Sequence, residues 1–220
     1  MDYYPSISEK LLNDALNWAN NFIPVDEKTR NIILHVRKTF LFYKGRAWVK
    51  KSEPEWDVTM GSFDSAEVAD LVSLFLLSLI DHLPIKAGIF KDDGICLSDL
   101  SADETEDVRQ EICRIFKTHG LGCKAEANKK VAHYLDVTLD LTKGEHRSYR
   151  KPNNFPVYVH AQSNHPPAVK KSLPLEVNRR LNVLNSSEAA FNFQAPMYQD
   201  ALNKAGYKHQ LKYEKIDVNK

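Results

Sequence analysis

The chain has 220 residues, of which 43% are hydrophobic and 27% charged, with a net charge of +1. That profile is an ordinary globular one, long enough for one large domain or two small ones. The longest apolar run, Leu71–Ile80, is closed by Asp70 and Asp81; it is too short for a bilayer and reads as a buried helix. No basic segment followed by an apolar one opens the sequence, so secretion is not expected. The three cysteines, Cys96, Cys113 and Cys123, lack CxxC spacing, which argues against a zinc site or disulfide framework. The expected setting is intracellular, nucleus or cytoplasm. The near-neutral total conceals a split: residues 1–142 carry 17 Lys and Arg against 23 Asp and Glu, and residues 143–220 carry 13 against 6. A basic end of this kind suits a phosphate backbone, and an acidic remainder suits metal-binding carboxylates; an unevenly charged, solvated surface gives the same totals.

In chain order, Ser6-Ile7-Ser8-Glu9 reads as a capping box after Pro5, opening a helix with Leu11, Leu12, Ala15, Leu16, Ala19 and Phe22 at helical spacing. A second helix is predicted from Asp26 to about Tyr43, with Ile32, Ile33, Val36 and Phe40 inward and Gly45 ending it. A short strand "RAWVKK", a loop at Pro54 and the long apolar helix from "GSFDSAE" follow. The stretch "GIFKDDGICL" reads as a hairpin turning at Asp92-Asp93-Gly94. Ser101-Ala102-Asp103-Glu104 is a second capping box, for a helix with Val108, Ile112, Ile115 and Phe116 on one face and Gly120 after its end. "AHYLDVTLDLTKGEHRSYRK" alternates around Lys143-Gly144 as a second hairpin. The Pro- and Asn-rich run after it is irregular, and helices are predicted near 173–184 and 187–206. Hairpins with helices to one side define an α+β fold.

Asp-Gly is a favoured hairpin turn, because Gly and Asp accept positive φ. Two adjacent aspartates on a hairpin also suit divalent metal, since phosphoryl transfer uses cations held by carboxylates. The two readings are compatible, and the residues by themselves leave both open.

Four stretches in order, "DYYPSIS", "MGSFDSAE", "FKDDG" and "AEANKKVAHYLDV…SYRKPNNF…SNHPP", resemble the palm of a reverse transcriptase from its motif A onward, most like the Penelope-type retroelement enzymes. "FKDDG" is similar to the aromatic-x-Asp-Asp motif of the palm hairpin, and "MGSFDSAE" to the glycine-turn-to-helix motif beside template and nucleotide. The resemblance implies a palm-type antiparallel sheet with helices on one face over residues 1–150. A basic connector and helical thumb-like tail would follow over 151–220. It implies Asp92 and Asp93 as catalytic carboxylates and ligands of Mg2+ or Mn2+, and Tyr4, Gly61 and Ser62 as the nucleotide and template contacts. Tyr134, Arg150 and Lys151 would touch primer or backbone. The implied partners are an RNA or DNA template-primer and dNTPs, without a membrane.

Each role has a plainer reading: Tyr4 as a core tyrosine, Tyr134–Val137 as strand core, and Arg150, Lys151, His160 and His165 as a solvated basic loop, with His165 a turn residue before Pro166. The chain also departs from the family. Asp2 stands too close to Tyr4 for the metal-binding aspartate of motif A, so one of three carboxylates lacks a counterpart. "FDSAE" stands where relatives have "PLSP", which places Asp64 and Glu67 near the site, and helix N-terminal charges are their simplest reading. The resemblance therefore implies a partial palm with impaired polymerisation. A non-catalytic nucleic-acid-binding protein and a soluble interaction protein remain the alternatives.

Overall fold

The structure, a computed structural model, describes residues 3–38, 40–49, 56, 58–59 and 61–215. Contacts divide the chain into two compact units, Met1–Asn128 and Lys129–Lys220, so the strands expected around Lys143-Gly144 lie in the second.

In the N-terminal unit, a single turn α1 (Tyr3–Ser6) precedes helix α2 (Glu9–Ala19). The cap expected at Ser6 moves to Ser8, whose extended backbone leaves its hydroxyl free to accept from the Leu11 amide at 3.1 Å. Asp26 caps α3 (Glu27–His35) by accepting from the Thr29 amide at 2.7 Å. This helix ends well before Tyr43. Strand β1 (Phe40–Tyr43) instead pairs antiparallel with β2 (Arg46–Val49). The run Phe40-Leu41-Phe42-Tyr43 suits a pleated surface, and Lys44 and Gly45, both at positive φ, form the two-residue turn whose twist matches a hairpin. In consequence Ile32 and Val36, expected inward, are about half exposed, and Ile33 and Leu34 pack on the core. The side chain of Phe40, the Pro54 loop and Asp2 lie outside the described residues.

Helix α4 (Ser65–Ile80) is apolar on nearly every side because α2, α5 (Ala102–Thr118) and β3 (Lys86–Phe90) all pack on it. The second capping box forms as expected: Ser101 accepts from the Glu104 amide, and the Glu104 carboxylate accepts from the Ser101 amide at 2.9 Å. At the other end Gly120 takes φ 79°, and the amides of Gly120 and Leu121 donate to Lys117 and Phe116 carbonyls at 3.0 Å. That is a Schellman closure. Tyr3, Ile7, Leu11, Leu12, Val72 and Leu76 head the main core, and Ile80, Ile112 and Ile115 form a smaller one.

In the C-terminal unit, β5 (Val131–Tyr134), β6 (Val137–Asp140) and β7 (Glu145–Ser148) form a three-stranded antiparallel sheet. It has one strand more than the expected hairpin, since Leu135 adopts φ 51° and turns the chain before Val137. Helix α6 (Pro167–Val183) starts earlier than expected, with Pro167 at its first position and Pro174 inside; α7 (Glu188–Lys204) matches its prediction. Leu181, Phe191 and Tyr198 form the core. The α+β class stands, but among the described residues the strands form three separate antiparallel sheets rather than one. No helix among them is long and apolar enough to cross a membrane.

Candidate functional site

Strand β3 pairs with β4 (Asp93–Leu97) in a register that sets Phe90 opposite Asp93. The turn residues are therefore Lys91 and Asp92, and the expected Asp93-Gly94 turn is corrected: Gly94 lies in the strand opposite Ile89. Lys91 takes the positive φ, 56°, that Gly94 was expected to supply. Its ammonium holds it there, donating to the Tyr4 hydroxyl at 2.9 Å and lying 5.5 Å and 5.7 Å from the Tyr4 and Phe90 ring centres. Asp92 at the turn and Asp93 at the start of β4 are both exposed.

Tyr3, one residue before Tyr4, anchors this corner. Its hydroxyl lies 3.0 Å from the Ala69 carbonyl and 2.9 Å from Ser73 Oγ on α4. Burial pushes its pKa up to about 12; the Ser73 hydrogen bond opposes that, and the charges of Asp70, Tyr4 and Asp92 reinforce it. The Tyr4 hydrogen bond raises the pKa of Lys91, with the fields of Asp70 and Glu67 adding to it. Tyr4, the hairpin tip and the first turns of α4 thus form one corner, in which a single ammonium faces Glu67, Asp70 and Tyr4. Gly61, at φ 92° with open space around it, and Ser62, which donates to the Thr59 carbonyl at 2.8 Å, form the turn into α4; neither is hydrogen-bonded to the hairpin.

Asp64 is not merely a helix N-terminal charge. It makes no capping hydrogen bond and forms an ion pair with Arg37, which is only 2% exposed. Among the described residues no three His, Cys, Asp or Glu side chains gather as a metal ion would require. The donors at the hairpin are two carboxylates, hard oxygen ligands of the kind a magnesium ion takes beside water and phosphate.

In the C-terminal unit, His133, Thr138 and Arg147 are cross-strand partners and share one face of the sheet. They line an open groove of about 400 Å³ with Tyr149, Arg150, Lys151, Phe155 and Phe193. The rings of His133 and Tyr149 stack, 4.0 Å apart and 15° from parallel. Arg150 holds the rim in shape: Nε donates to the Tyr198 hydroxyl at 3.2 Å, Nη1 donates to the Asn154 carbonyl at 3.2 Å, and the guanidinium lies 5.2 Å from the Tyr198 ring centre. Lys151 is exposed on the rim. Tyr134 pairs with Val137 and so belongs to the opposite face of the sheet. His160 and His165 make local turn contacts with Gln162 and Ser163.

Several determinants carry no signal in the sequence. Arg37 meets Asp64 across 27 positions. Asn178 and Asn182, one turn apart on the buried face of α6, hydrogen-bond the backbone of Lys212 and Glu214 at 2.7–2.9 Å. Comparison of the chain with protein-family models, with curated proteins and with solved structures finds no match.

Proposed function

We propose that this chain is part of a retroelement-type reverse transcriptase palm and thumb-like region, with the parent reaction of templated DNA synthesis by two-metal phosphoryl transfer. The observation that supports this is the corner at the hairpin. Tyr4, the α4 turns that follow Gly61-Ser62, and Lys91-Asp92 are far apart in the chain and adjacent in the fold. An aromatic beside a carboxylate hairpin and a glycine-opened helix is the arrangement a nucleotide site of this kind needs. Asp92 and Asp93 would hold the metal, which when bound supplies charge neutralisation at the phosphates. Tyr4 would meet the sugar, and Arg150 and Lys151 the nucleic-acid backbone.

The second reading, a nucleic-acid-binding protein without turnover, is favoured by one observation: no third metal-ligating side chain joins the hairpin pair among the described residues. One experiment separates the two. Retention of a labelled template-primer is measured with and without Mg2+ and the next complementary dNTP, together with extension. On the polymerase reading, metal and dNTP tighten binding several-fold and Asp92→Ala removes the effect. Binding indifferent to metal and dNTP supports the second reading, and extension that survives Asp92→Ala overturns the site assignment.

A further inference from the structure

We propose that the groove of the C-terminal unit binds unpaired nucleotides, taking bases on its aromatic rim and phosphates on its cations. The inference rests on the preceding reading for the class of partner, nucleic acid. It adds the strand state, from residues that play no part in the metal chemistry.

Four observations carry it. The groove is lined by Arg147, Arg150 and Lys151 and, among the described residues, by no carboxylate, so it favours a polyanion. Arg147 and Lys151 are exposed and in no ion pair among the described residues. Phe155 and Phe193 come to the rim from a loop and from α7, 69% and 78% exposed. The sheet already carries one parallel ring stack, His133 on Tyr149, which gives the groove a flat π surface.

The aromatic rim decides between single and double strands. A duplex presents phosphates and keeps its bases stacked on each other, so two exposed phenyl faces would gain nothing from it. An unpaired strand offers a base face to each ring, and stacking of this kind tolerates any sequence. Asn153, at φ 63°, and Asn154 complete the rim with amide groups that reach base edges or sugar. Arg150, through its bonds to Tyr198 and Asn154, also keeps this loop in place.

The test is anisotropy titration of the whole chain with a labelled 12-mer oligo(dT) and a blunt 12-base-pair duplex. Phe155→Ala/Phe193→Ala is expected to weaken oligo(dT) binding by about tenfold or more while leaving duplex binding within about twofold. Both rings are exposed, so circular dichroism melts should match the parent chain and exclude misfolding. Arg147→Gln/Lys151→Gln should reduce the slope of log affinity against log salt by about 1–2, since each lost phosphate contact removes roughly 0.7 for a single strand. A double-phenylalanine variant that binds oligo(dT) like the parent overturns the proposal, as does a parent chain that prefers the duplex. Duplex binding without oligo(dT) binding removes this inference and leaves the template-primer reading intact. Loss of both, with binding of poly-glutamate at the same site, overturns the two together and makes the groove an acidic-peptide site.

Discussion

Removing Asp64 should destabilise the N-terminal unit far more than removing its partner Arg37. The asymmetry comes from burial, since the Arg37 side chain is 2% exposed and that of Asp64 is 36% exposed. Asp64→Ala leaves a guanidinium enclosed without a counter-charge, and Arg37 Nε already has no hydrogen-bond partner among the described residues. Stranding one member of a buried pair costs about 3–5 kcal/mol, and the partial exposure of Asp64 argues for the lower end, about 3 kcal/mol. Arg37→Met removes the charge, keeps much of the side-chain volume, and leaves a carboxylate that water already reaches. Its cost should be about 1 kcal/mol. With an m-value of about 2 kcal/mol/M, urea midpoints would fall by about 1.5 M and 0.5 M respectively. The double variant is the sharper measurement. Once Arg37 is methionine, deleting Asp64 strands nothing, so Arg37→Met/Asp64→Ala should be more stable than Asp64→Ala alone. A double variant as unstable as the sum of its singles, or an Arg37→Met cost equal to that of Asp64→Ala, refutes this account of the pair.

The remaining expectations concern single sites. Tyr3 holds its proton up to about pH 12 in the fold, against about 10 in the unfolded chain. Below pH 10 both states are protonated and the group contributes no pH dependence. Between 10 and 12 the unfolded state releases its proton first, so stability falls as pH rises, by about 3 kcal/mol at most across the window. Urea unfolding at pH 9 and pH 11.5 should show this slope, and Tyr3→Phe should flatten it. Gly120→Ala forces a left-handed residue to carry a Cβ and should cost about 1–2 kcal/mol. Nothing lies within 4 Å of that Cβ, so the cost is conformational rather than steric, and Gly120→Asn should recover part of it in a thermal melt.

What was legible in the sequence is what short-range chemistry decides. Helix α5 was readable from both ends, because a Ser-x-x-Glu box and a following glycine act within a few residues of the termini they close. The two failures nearby are also physical. The apolar positions Ile32, Val36 and Phe40 keep helical spacing, yet three of the four residues Phe40–Tyr43 are aromatic and Lys44-Gly45 forms the turn of a hairpin, so the strand pairing overrides the period. At Asp92-Asp93-Gly94, the favoured Asp-Gly turn lost to Lys91-Asp92. Lys91 gains a hydrogen bond to Tyr4, 87 positions away, that no local rule contains. The same separation hid the role of Asp64, and the Asn178 and Asn182 contacts, since a side chain that holds a distant backbone segment looks like any other polar residue on a helix. Among the candidate site residues, Asp92, Asp93 and Tyr4 are proposed from motif order alone, whereas Phe155 and Phe193 carry no pattern that sets them apart from core phenylalanines.

The charge split sharpens into a constraint once the units are known. Met1–Asn128 carries 15 Lys and Arg against 21 Asp and Glu, and Lys129–Lys220 carries 15 against 8. A polyanion is therefore repelled by the unit that holds the hairpin and attracted by the unit that holds the groove, and its salt-dependent affinity must come from the second. At the hairpin a phosphate would meet Asp92 and Asp93 directly. The adjacent residue Lys91 has its ammonium turned onto Tyr4 and faces the further charges of Glu67 and Asp70. Only an added cation can reverse the sign of that corner. If nucleotide binding occurs there, it is obligatorily metal-linked, whereas oligonucleotide binding at the groove is not. Chelation with EDTA should therefore abolish any dNTP-dependent tightening of template-primer and leave oligo(dT) affinity unchanged. A dNTP effect that persists in EDTA would mean that something other than the two aspartates governs that corner.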